Sequence, residues 1–153
     1  MTPEQASDAL DNLAKLIAEN IPDITQTAAL TGKALVQERI QESGLSAELV
    51  SFPGYSKGYK KYKGKKQGEG AVSFRNLTLS GDMWRKTGIK SAGNTSSGYQ
   101  VIIGGTTQDA QDKLNYNSDE AGDFLNLSDD EQAVLVSDYD AELDKLIAES
   151  GLG

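Results

Sequence analysis

Six of the chain's fifteen lysine and arginine residues fall between Tyr55 and Lys66, interleaved with three tyrosines and two glycines. The run Tyr55-Ser56-Lys57-Gly58-Tyr59-Lys60-Lys61-Tyr62-Lys63-Gly64-Lys65-Lys66 holds no carboxylate and no regular apolar period. Ammonium groups neutralise phosphates or carboxylates, and tyrosine rings stack on bases or lie flat against a protein surface. Six such groups cannot enter the chain's own core, because they would lose their hydration without partners. The tract is therefore expected to be a long, mobile basic loop at about 53–70. A protein-binding arm, a flexible loop without a partner and a contact with DNA all fit these residue types.

No other constellation makes a positive chemical case. The chain has no cysteine and no histidine, which removes thiolate chemistry, disulfides and the commonest general base near neutral pH. Asp138, Asp140, Glu142, Asp144 and Glu149 superficially suggest a calcium loop, but Leu143 stands where the sharp turn needs glycine. Gly104-Gly105-Thr106-Thr107 lacks the Gly-Lys-Ser/Thr that a phosphate loop requires. No pair of carboxylates is singled out for glycoside chemistry, and few aromatics are present to line a sugar cleft. No enzymatic role, cofactor or metal is expected.

Charge is divided along the chain. Residues 53–90 carry a net charge of +8, with Glu69 and Asp82 the only acids, while the remainder carries −16. Segregation of this kind suggests docking, between copies of the chain or onto other molecules. A length of 153 residues suits one domain, 1–153, with a modest core. Thr2-Pro3-Glu4-Gln5 does not resemble a signal peptide and no run approaches a membrane span, so synthesis in a reducing cytoplasm is expected. Asn76, Asn94 and Asn126 are then polar turn residues rather than glycosylation sites.

The elements that must position the tract read as α+β. Ala9, Leu10, Leu13, Leu16 and Ile17 recur at helical spacing, with Ser7 or Asp8 as a cap. Pro22 should kink or restart this helix, which continues through Ile24, Ala28, Thr31, Leu35 and Ile40 to a stop at Gly44. Ala71–Leu79 suggests a strand, Ser80–Arg85 a turn and a short helical step. Thr87–Ala92 and Tyr99–Gly104 should pair as a β-hairpin across the turn-forming residues 93–98. A short amphipathic piece at 108–114 should give way to a polar loop over 115–122. Ser128-Asp129-Asp130-Glu131 is a capping box opening a C-terminal helix with Val134, Leu135, Tyr139, Leu143, Leu146 and Ile147 on one side.

The stretch Leu79-Ser80-Gly81-Asp82-Met83-Trp84-Arg85-Lys86 resembles the serine/threonine-glycine, two residues, leucine/tryptophan-arginine step of tailed-phage tail-completion and head–tail connector proteins, the minor tail or virion-morphogenesis family. In that family the step follows a long N-terminal helix and a mobile basic loop, and precedes a β-hairpin. Phe124-Leu125-Asn126-Leu127-Ser128 resembles its closing segment, which feeds a terminal helix. Gly122-Asp123 stands where the family often has proline-arginine, and residues 115–122 replace its strand ending. The resemblance implies a non-enzymatic virion protein, assembled in the host cytoplasm. It would form a hexameric or dodecameric ring in the neck, between portal-adaptor and tail-tube or tail-terminator proteins. A passing contact with genomic DNA and none with membrane would follow. Assembly would fall to Tyr55, Lys57, Tyr59, Lys60, Lys61, Tyr62, Lys63 and Lys66, with Trp84 and Arg85 anchoring the turn. For Trp84 core packing, and for Arg85 a local carboxylate, are the plain structural readings. A nucleic-acid-binding accessory protein is the alternative function.

Overall fold

The computed structural model describes residues 1–78 and 80–152. Helix α1, Pro3–Ser43, is 41 residues long. Thr2, rather than Ser7 or Asp8, caps it in a reciprocal box with Gln5, and Pro3 fits the first turn, where its missing N–H costs nothing. Gly44 ends it at φ +63°, donating to the Ile40 carbonyl at 3.0 Å. The helix runs through Pro22 without restarting. The reason is a splint. Helix α5, Asp129–Ser150, lies antiparallel across the proline: the Ser150 carbonyl accepts from Asn12, Leu135 packs on Gly32, and Glu131 meets Arg39. Tertiary packing on both sides outweighs the one backbone bond that proline removes.

Between these helices the chain forms α2 (Lys57–Gln67), a 3₁₀ turn (Glu69–Val72), α3 (Asp82–Arg85), strands β1 (Thr87–Thr95) and β2 (Gly98–Gly105), and α4 (Gln108–Ala121). The mixed helix and strand class is as expected, with a long N-terminal helix, a two-stranded antiparallel hairpin and a C-terminal helix. The hairpin is longer than its sequence suggested. Its strands reach Thr95 and Gly98, so only Ser96-Ser97 turn, held by Thr95 Oγ1, which donates to the Gly98 carbonyl at 2.8 Å. Lys90 is an extra residue between the Ile89–Ile103 and Ser91–Ile102 pairs, a bulge that bends β1. Two strands alone are marginal in water. Here both strands pack on α1, and Gln26 donates to the Tyr99 hydroxyl at 2.9 Å.

Two expectations fail for identifiable reasons. The strand over 71–79 is absent at 73–78, and Leu79 lies outside the described residues. Leu77 takes φ +53°, which interrupts an extended run, and the amides of Leu77 and Thr78 donate to the Tyr55 hydroxyl and Asn76 Oδ1 instead of a neighbouring strand. The polar loop at 115–122 is instead helix up to Ala121. Side-chain bonds four residues apart, Gln111 to Asn115 and Asn117 to the Lys113 carbonyl, support the extra turns until Gly122 ends them at φ +83°.

The core gathers Val36 and Ile40 of α1 with Phe52, Leu77, Met83, Trp84, Leu114 and Phe124. Trp84 meets Phe124 edge-on at 6.0 Å between ring centroids. Glu131 joins two layers: its carboxylate accepts the Ser128 amide at 2.8 Å, completing the capping box, and the Arg39 guanidinium at 3.1 Å. Arg39 also donates to the Asn126 carbonyl at 2.9 Å, so one guanidinium fastens α5 and the loop before it to α1.

Candidate functional site

The basic tract is a helix, not a loop. Ser56 caps α2 by accepting the Tyr59 amide at 3.3 Å, and Gly68 stops it at φ +91°, donating to the Gly64 carbonyl at 2.8 Å. Lysine and glutamine are good helix formers, and Lys65 and Lys66 complement the dipole at the C-terminal end. Gly58 and Gly64 weaken the helix locally, so it depends on an anchor to the body.

Lys63 is that anchor. Of the six lysines it alone is buried, at 0 % exposure. Its Nζ lies 4.6 Å from the centroid of the Tyr55 ring, donates to the Tyr55 hydroxyl at 3.0 Å and to Asn76 Oδ1. The expectation that none of these ammonium groups could bury itself is thus corrected: a tyrosine face and an amide oxygen replace part of the lost hydration. No carboxylate is paired with Lys63 among the described residues, and burial lowers its pKa from 10.5 to about 8. Tyr55 is a hub. Its hydroxyl accepts the Leu77 amide at 3.1 Å, and the Arg75 guanidinium sits 5.3 Å from its ring centroid. Burial raises the pKa of both Tyr55 and Tyr59.

Beside α2 opens a cleft of about 500 Å³. Tyr55 and Tyr59, with ring centroids 4.9 Å apart, form one wall, and Lys113, Tyr116, Asn117 and Glu120 of α4 form the other. Leu77, Asp82 and Met83 lie between them. Arg75 and Lys113 balance Asp82 and Glu120, so the cleft itself has no anion preference. The positive field belongs to the helix surface outside it.

Lys57, Lys60, Lys61 and Lys66 stand exposed on α2, together with Lys65. Tyr59 and Tyr62 are 37 % and 50 % exposed, and Lys66 lies over the Tyr62 ring at 5.9 Å. None of these lysines has a salt bridge among the described residues. Trp84 is 1 % exposed and belongs to the core, not to a docking surface. Arg85 is exposed, pairs with Asp82 and donates to the Ser80 carbonyl at 3.1 Å, fastening the turn before α3. Sequence reasoning missed Arg75, Lys113 and Tyr116. Ser56 and Gly68 were the available signals for α2, a cap and a stop bracketing eleven residues.

No family model matches the chain, and no curated protein or solved structure is significantly similar to it. Among the described residues, no group of three or more acidic, histidine or cysteine side chains could hold a metal ion. No described helix is long and apolar enough to cross a membrane.

Proposed function

We propose that the chain is a structural subunit of a tailed-phage neck, one copy of a ring that joins the head and portal-adaptor assembly to the tail tube. The observation that carries this reading is α2, a helix pinned to the body by Lys63 that presents five exposed lysines without a carboxylate partner among the described residues. Such a surface suits assembly better than chemistry. Further support comes from the order of elements: long helix, basic segment, Ser80–Arg85 step, hairpin, and a capped terminal helix. The test is made on particles of the virus encoding the chain. Mass spectrometry should find the protein in purified virions, and loss of the gene should leave separate filled heads and free tails. Intact, infectious particles without the protein would overturn the reading.

Exposed Tyr59 and Tyr62 among the lysines favour a second reading, a nucleic-acid clamp. Binding to single-stranded DNA would then weaken steeply with salt, and Lys60→Ala with Lys61→Ala would flatten that slope by about 1.4 units. A salt-independent signal, or none, removes this alternative.

A further inference from the structure

We infer that the lysine face of α2 docks on the exposed acidic flank of α5 in a second copy of this chain. The inference rests on the ring-subunit reading of α2 and adds its counter-surface. Lys57, Lys61 and Lys65 recur every four residues and so line one side of α2, across the helix from the buried Lys63. On α5, Val136, Asp140 and Asp144 recur at the same spacing, all exposed, along the flank of the helix beside the face that Leu135, Tyr139 and Leu146 turn to α1 or the interior. Two helical stripes of equal period and opposite charge can lie along one another in register.

Within one copy these stripes do not serve each other: α2 packs on the 3₁₀ turn after it, α5 packs on α1, and no salt bridge joins the two among the described residues. The apolar component also matches. Val136 is 59 % and Ile147 39 % exposed on α5, while Tyr62 is 50 % exposed beside the α2 lysines. Gly58 and Gly64 have nothing within 4 Å of where a Cβ would stand, leaving room for a neighbouring backbone. A polyanion would meet the same lysines, but the chain's net charge of −8 repels it from the remaining surface and attracts nothing to α5. A second copy satisfies both faces at once. Run head-to-tail, as the ring-subunit reading requires, the contact leaves no face of any copy uncovered once it closes into a ring, whereas reciprocal docking of the same two faces gives a two-fold dimer.

The test is a charge exchange between copies, read by sedimentation at low salt. One variant carries Lys57→Glu, Lys61→Glu and Lys65→Glu; the other carries Asp140→Lys and Asp144→Lys. The wild type should self-associate, and each variant alone should associate about tenfold or more weakly, since like charges now face each other. An equal mixture should regain the wild-type assembly, because each variant then presents the complement of the other. Circular dichroism establishes that both variants are folded. If either variant fails to fold, zero-length carbodiimide cross-linking of mixed light and heavy-isotope wild-type protein replaces it, with Lys61–Asp140 or Lys65–Asp144 links between copies expected. A monomeric wild type, variants that associate normally, a mixture that does not recover, or the lack of such inter-copy links overturns the inference. Self-association can stand or fall in this assay whether or not the protein is found in virions.

Discussion

Lys63 shows how one side chain can decide whether a charged segment stays on the body of a protein. Its folded pKa of about 8 lies below the usual 10.5 because burial disfavours the ammonium form, an effect that the Tyr55 ring partly offsets. The unfolded chain therefore binds more protons than the folded one between these two values, and stability should rise with pH across that window. The rise ends near pH 10, where the raised pKa values of Tyr55 and Tyr59 act in the opposite sense, since the unfolded tyrosines ionise first. Thermal melts between about pH 7 and pH 9.5 should show the climb in the wild type and a shallower one in Lys63→Met, where among the described residues only Lys33, its pKa also lowered by burial, still contributes in that sense. An identical pH profile in both proteins would refute this. The composition of the tract was plain in the sequence. That one of its lysines would be taken in was not, because Tyr55 and Asn76 are brought to Lys63 only by the fold.

At the level of elements, local capping signals proved more informative than periodicity. Residues 57–67 lack an apolar stripe, and that absence suggested a loop; yet Ser56 and Gly68 delimit a helix whose anchor is a cation on an aromatic ring. Asn115–Ala121 misled for a similar reason, since Asn115 and Asn117 bond back to Gln111 and the Lys113 carbonyl on the preceding turn, contacts that no apolar period signals. The hairpin and the capping box were legible because both are specified by adjacent residues. Gly64 provides a test of the helix. Its site is open, so Gly64→Ala should raise stability by about 0.5–1 kcal/mol through helix propensity, measured by guanidinium melts. If the glycine leaves room for a neighbouring copy, the same substitution should weaken self-association. Gly105 is different: a Cβ there would collide with the Gln111 backbone, and Gly105→Ala should destabilise by about 1–3 kcal/mol.

For the molecule as a whole, α1 is the member on which the other parts are assembled, and the Arg39–Glu131 pair fixes α5 along it. Both side chains are about nine-tenths buried, so removing one leaves the other charge without its partner. Glu131→Ala should destabilise by about 3 kcal/mol, losing the ion pair and half of the capping box together, as urea melts would show. A loss below about 1 kcal/mol would place the pair among ordinary surface bridges. This long-range pairing was not legible: the capping box identified Glu131 as a helix opener, and nothing in the sequence connected it to a residue on α1.

The position of Trp84 has a practical corollary. The chain owns a single indole, sealed against Phe124, whereas Tyr59, Tyr62 and Tyr116 stand at the surface around α2 and its cleft. Red-edge excitation therefore interrogates the interior alone, while phenol emission senses arrivals at the outer helix. In one cuvette, a quenched tyrosine signal with an unmoved tryptophan maximum would signify docking, and a red-shifted tryptophan would signify unfolding.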